Sequence, residues 1–341
     1  MLSPPVIGDR LSRCLMLDNA QKDRKRASDQ APRGRRAAAP EDIPPRGWKD
    51  ILWRSWNEVS ENNIFLAAGG VTYALVLAFF PALAALVSIY GLLMDPAQIE
   101  KQVDAMSALL PGDTRQMIAQ ELHRLVSSSH GALGFGAVVG LLLALWSASR
   151  GVSGLISGLD MAYEETERRS FLRFNMIAVG LTIVFIVGGI IAITLVAGLP
   201  TVVAFMGLGG ATKWLLLLVQ WPVLMVLWFV GLAAVYRYGP DRREPQWRWV
   251  SPGAIVATVL WIAASIAFAV YVSNFASYDK TYGSLGSVVV LLTWLYITSF
   301  VVLFGAVINA QSERQTHEDT TEGEPKPIGK RGARAADEKA T

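Results

Sequence analysis

Cysteine is almost missing from this chain. Cys14 stands alone among 341 residues, so no internal disulfide can form and a cysteine zinc cluster is excluded. Histidine is nearly as scarce. His123, His130 and His317 are spread so widely that neither a histidine metal centre nor a triad is expected. Charge is thin as well: 17% of residues are Asp, Glu, Lys or Arg, against about 25% in a typical soluble domain. The sequence has no G-x-S-x-G elbow and no G-x-x-x-x-G-K phosphate loop, and GVSG at 151–154 is too short to mark a nucleophile. A net charge of +3 is too small to argue for a nucleic-acid partner. No cofactor is implied. Residues 1–20 hold only short apolar pieces, so no cleaved secretory signal is expected.

The charge shortfall is uneven. The first 66 residues carry 12 Lys or Arg and 9 Asp or Glu, and residues 311–341 carry 6 and 7. Between these polar ends lies a centre rich in apolar residues. Its clearest stretch, YGSLGSVVVLLTWLYITSFVVLFGAVINA at 282–310, carries no charge and exceeds the roughly 20 residues that cross a bilayer's hydrocarbon core. Six such runs stand at about 67–94, 133–150, 174–198, 214–236, 250–272 and 285–309. All 28 acidic residues fall outside them, as a lipid-embedded bundle requires.

The expected fold is therefore all-α: a polytopic membrane protein of six transmembrane helices. Cationic residues orient it. With both ends inside, the inner segments and the boundary residue Arg150 hold 26 of the 31 Lys and Arg, a positive-inside pattern with cytoplasmic termini. Residues 1–46 read as a disordered basic cytoplasmic tail, 47–310 as the membrane domain and 311–341 as a second disordered cytoplasmic tail. From Gly47 to Ile64, Trp48, Leu52, Trp56 and Val59 recur at helical spacing with charges between them. That predicts an amphipathic helix in the interface. Residues 95–132 predict two short amphipathic helices on the outer face. The second run ends at Arg150, which is expected at the membrane face with its stem snorkelling outward.

Several motifs admit two readings. Gly136, Gly140, Ala144, Ala148, Gly154 and Gly158 form a small-residue ridge, either a static packing surface or a sliding one. Pro81 frees the Leu77 carbonyl, which either makes a binding site or a kink healed by neighbours. Pro222 is a second such break. Asp160, Glu164 and Glu167 lie on one helical face and are the weak metal candidates. A self-paired solvated helix end, through Glu164–Arg168 and Glu165–Arg169, accounts for them without a metal. The connection 273–286 is either a lid or an ordinary tight loop.

The residues also resemble a family. Tyr73 with Phe80-Pro81, Trp146-Ser147-Ala148-Ser149-Arg150-Gly151, Tyr236-Arg237-Tyr238-Gly239-Pro240 and Ser251-Pro252-Gly253-Ala254 follow one another. Trp261, Tyr271, Tyr282-Gly283-Ser284-Leu285-Gly286, Trp294-Leu295-Tyr296, Gly305-Ala306 and Asn309-Ala310 complete the array. Over about 48–311 it is similar to the YihY/BrkB family of bacterial inner-membrane proteins, formerly described as ribonuclease BN. The resemblance implies six spans with cytoplasmic tails in the inner membrane. One departure stands out. The family's closing motif carries acidic residues where this chain has Val307 and Gln311.

The function expected is non-enzymatic transport or translocation of a lipid-like or amphiphilic envelope substrate, with membrane lipids as partners. Pro81 would shape a break and Arg150 would hold an anionic headgroup. Tyr282, Gly283, Trp294 and Asn309 would line a cleft beside the last helix. A membrane-anchored ribonuclease and an envelope-assembly scaffold without turnover are the alternatives.

Overall fold

A computed structural model describes residues 33–93, 135–199, 210–274 and 284–340. Among these the chain is helical, with one isolated bridge between Pro245 and Thr321. The first helix is α1 (Pro45–Glu61), and a short turn at Asn63 leads into α2 (Ile64–Leu93). Then come α3 (Phe135–Tyr163), α4 (Phe171–Ile193), α5 (Gly210–Tyr238), α6 (Trp247–Asn274) and α7 (Ser284–Gln315), and a short α8 (Arg334–Asp337) closes the chain. A π turn, Thr194–Gly198, extends α4. Helices α2 to α7 are the six that are long and apolar enough to cross a membrane.

The second span runs further than expected. Arg150 does not end it, because α3 continues to Tyr163. The residues after Arg150 alternate small and apolar types, so the helix has a packing surface to continue on. Gly151, Gly154 and Gly158 press against Ala78, Ala74 and Val71 of α2, leaving no room for a Cβ. The outer part of the expected ridge differs, since a Cβ at Gly140 would meet nothing within 4 Å.

Helices α6 and α7 approach even more closely. A Cβ at Gly253 would overlap the Gly305 carbonyl oxygen, and one at Gly305 would overlap the Tyr236 hydroxyl. Tyr236, fully buried, donates to the Val302 carbonyl at 2.8 Å and ties α5 to α7.

Both ends of the described chain lie at one end of the bundle. Arg35 donates to the Ala340 carbonyl, His317 N–H to Arg35, and Thr316 to Ala37. The disordered tail expected at 311–341 is ordered over 311–340. Helix α7 continues to Gln315, and the segment beyond it is held by Arg331, which donates to the carbonyls of His317, Glu318 and Ala336. Residues 33–46, expected as tail, also fold. Ala37, Ala39 and Ile43 are buried, and Ala37 and Ile43 cluster with Ile51 and Trp249. Polar composition hid this order, because ion pairs and carbonyl contacts between distant segments supply it.

The core is confined to that tail end. It joins Val59, Ile64, Val71, Ile156, Leu232 and Leu303 among others. Among the described residues of the far halves burial is sparse, with Ala85 of α2 an exception. No described residue of 139–147, 187–199, 258–273 or 286–298 is buried, and in 218–231 only Gln220 is. Among the described residues, burial is thus concentrated at the tail end of the bundle.

Candidate functional site

Helix α3 places Arg150 near its own middle, 13 positions before Tyr163, or about 20 Å along the axis at 1.5 Å per residue. It is also near the middle of Val139–Tyr163, the part of α3 that is long and apolar enough to cross a membrane. Arg150 is exposed, and its guanidinium carbon stacks 4.5 Å from the Trp146 ring centroid. Among the described residues it makes no ion pair. A cation at the centre of a span costs about 2.5–3.5 kcal/mol on insertion scales, so this one calls for a partner. The helix does not end at Arg150, because α3 passes through it.

Trp146 lines a groove of about 350 Å³ between α3 and α4. Phe171, Leu172, Met176, Val179 and Ile183 give it an apolar wall. Asn175 is the one polar side chain there. It is buried and donates to the Phe171 carbonyl at 2.7 Å, while its Oδ1 has no hydrogen-bond partner.

A second aromatic feature links α5, α6 and α7. Trp228 stacks on Trp261 with centroids 4.8 Å apart, and Trp261 meets Trp294 at 5.3 Å. Trp261 donates to Thr298 at 3.3 Å. Trp294, expected beside a cleft, is therefore the outer rung of a ladder, where the tail-end packing gives way. Its neighbours in space were hidden because the three tryptophans come from separate helices.

The other expected residues scatter. Tyr282 and Gly283 lie outside the described residues, as do His123, His130 and the segment 95–132. Pro81 sits inside α2, which continues through it. Asn309 is fully buried, and both ends of its amide serve backbone. Oδ1 accepts from Gly253 N–H at 2.7 Å, and Nδ2 donates to the Val250 carbonyl at 3.2 Å. Pro252 interrupts the α6 ladder there, and Asn309 repairs it from α7. It is a clamp rather than a cleft residue.

Asp160, Glu164 and Glu167 each have their own partner. Asp160 accepts from Asp241 N–H at 2.8 Å, Glu164 pairs with Arg314 at 2.6 Å, and Glu167 pairs with Arg169 at 2.5 Å. The expected Glu164–Arg168 and Glu165–Arg169 pairs do not form, because α3 ends at Tyr163 and Glu164 turns at φ 56°. Among the described residues no three His, Cys, Asp or Glu side chains gather as metal ligands.

Ionic chemistry concentrates instead at the tail end. Arg242 and Glu313 pair at 2.7 Å with both side chains fully buried, and Arg242 lies over the Tyr163 ring. Arg314 spans Glu58, Glu164 and Glu338. Burial pushes Glu58 up to about 7, and its hydrogen bond to Glu164 adds to that. Burial opposes ionisation of Glu164 too, but the hydrogen bonds from Glu58 and Arg314 outweigh it and hold Glu164 at about 2.

These features span most of a single matched region. The family model described as Virulence factor BrkB covers residues 55–329. The chain belongs to that family. A Bacillus subtilis relative, named putative ribonuclease-like protein YfkH, is 29% identical over 70% of this chain and 86% of its own length. A Pseudoalteromonas translucida relative, named UPF0761 membrane protein PSHAa0171, is 26% identical over 81% and 89%. A third, UPF0761 membrane protein RC1_0578 of Rhodospirillum centenum, is 29% identical over 75% of this chain and 55% of its own. No solved structure matches the chain. Membership of the family and six apolar helices make it a multi-pass membrane protein with bacterial relatives.

Proposed function

We propose that this member of the family resides in the bacterial inner membrane with both tails cytoplasmic, and moves or helps move a lipid-like or amphiphilic molecule. The distribution of Lys and Arg supports the orientation. The observation that carries the function is Arg150, an exposed cation near mid-span with no ion partner among the described residues. A polar headgroup crossing between leaflets is least solvated at that depth, and an arginine there offers it a fixed fork of donors. Sparse burial among the described residues of the far half supports the same reading, because few packed side chains lock the helices there. Helix α1 fits an interfacial role. Gly47, Ile51, Ser55 and Val59 are buried, while Trp53 and Trp56 remain exposed, as interfacial anchors would be.

The test is a reconstitution. Purified chain in liposomes with fluorescent anionic lipid should speed its appearance in the opposite leaflet. A rate equal to that of empty liposomes would overturn the proposal. The ribonuclease-like name of the Bacillus relative gains no site here, since each of Asp160, Glu164 and Glu167 is already engaged by a basic or backbone group.

A further inference from the structure

Two arginines stand next to residues that line the α3–α4 groove, and Arg173, the one nearer the tail end, also has Glu167 within electrostatic reach. Arg150 stacks on Trp146 at the mid-span end. Arg173 follows Leu172 at the mouth, in the first turn of α4. It is exposed and makes no ion pair among the described residues. Between them the wall is apolar, and from Leu172 to Ile183 it runs about 17 Å along the helix at 1.5 Å per residue. One leaflet's share of a roughly 30 Å hydrocarbon layer is about the same length.

We infer that this groove binds one anionic phospholipid from the tail-side leaflet. The inference rests on the translocation reading and names its substrate class and path. An acyl chain lies along Leu172, Met176, Val179 and Ile183. The phosphate docks at Arg173 while the lipid rests in its leaflet. Arg150 receives the phosphate as the headgroup moves inward. Charge complementarity decides the occupant: an anionic lipid brings net negative charge to the two guanidinium groups, phosphatidylcholine brings its own cation beside its phosphate, and a soluble anion would leave the apolar wall bare.

Gly180 gives a clean way to block the site. It lines the groove, and a Cβ there would meet nothing within 4 Å. Gly180→Leu therefore fills the groove without pressing on the protein, and leucine favours helix more than glycine does. The full chain is placed in nanodiscs holding equal phosphatidylglycerol and phosphatidylcholine, and retained lipid is counted by native mass spectrometry. The wild type should keep phosphatidylglycerol in excess. Gly180→Leu should cut that retention on the order of tenfold while unfolding no earlier. Arg150→Gln and Arg173→Gln should each erase the preference, lowering phosphatidylglycerol retention by roughly tenfold for a lost charge-assisted pair and phosphatidylcholine retention by less. Equal retention of the two lipids by the wild type, or full retention by Gly180→Leu, would overturn the site. So would an Arg150→Gln variant that changes oligomeric state but not lipid preference, since the cation's partner would then be a second copy. Retained phosphatidylglycerol without faster flipping supports the site and removes translocation. Faster flipping without the preference supports translocation and removes the site.

Discussion

Asn309 shows how a single side chain can be misread from sequence and still be central. A polar residue near the end of an apolar run looks like a surface or cleft group. Here it spends both amide ends on α6 backbone beside Pro252. Asn309→Leu strands a buried N–H and a buried carbonyl, at roughly 1–3 kcal/mol for each group left unpaired. We expect an earlier thermal unfolding in detergent, with Asn309→Asp losing less because it keeps an acceptor for Gly253. Gln311 is the neighbouring case. It accepts from Arg54 at 3.1 Å and donates to Glu58 at 3.2 Å, two roles that one carboxylate cannot fill.

Glu58 also sets a pH dependence at this scale. Its folded value of about 7 lies above its ordinary 4.5. The stability it gives is complete below 4.5 and is lost as pH rises through about 7. Glu164, held at about 2, works in the other direction: its share is present above 4.5 and lost as pH falls through about 2. The groups that face this pair are the guanidinium groups of Arg314, Arg54 and Arg334 and the amides of Asn62 and Gln311. Limited proteolysis of residues 316–340 should therefore accelerate as pH rises from 4.5 to about 7 and level off above that. In Gln311→Glu the lost donor should push Glu58 higher and move that midpoint upward. A flat profile across this range would show that the Glu58 carboxyl does not hold the segment.

Among the elements, glycines separate packed from unpacked helix surfaces. Gly305 of α7 meets Tyr236 and Gly253 directly, whereas a Cβ at Gly231 of α5 would meet nothing within 4 Å. Gly305→Ala should destabilise by about 1–3 kcal/mol through overpacking. Gly231→Ala should be neutral or stabilising by up to about 1 kcal/mol from helix propensity. Unfolding measured in one detergent should separate the two, and equal effects would contradict the packing described. The joint between α7 and the α5–α6 turn is ionic instead. Arg242→Met leaves Glu313 buried without its cation, a loss of roughly 3–5 kcal/mol. Arg242→Met with Glu313→Leu should recover much of it, as thermal unfolding of the single and double variants would show.

For the molecule as a whole, the six spans were legible because hydropathy is carried residue by residue, and ends rich in Arg and Lys announce themselves. The shared end for both tails was legible from the same count. The reach of α3 past Arg150 was not. A lone charge in a run reads as a stop, while Gly151, Gly154 and Gly158 seat the helix on α2 beyond it. The ordered C-terminal segment was hidden for the opposite reason. Its contacts are long-range, such as Arg334 N–H to Glu165 at 2.6 Å and Arg314 to Glu164, and local composition does not encode them. Of the candidate site, Arg150 was legible as an odd residue. The groove beside it was not, because it exists only when α4 folds back along α3.

The direct measurement is the rate at which labelled phosphatidylglycerol changes leaflet in proteoliposomes, compared between the intact chain and Arg150→Gln at equal incorporation. We expect the intact chain to accelerate it and the variant to fall by on the order of tenfold, with phosphatidylcholine little affected. Equal rates for the two proteins would contradict a role for the mid-span cation.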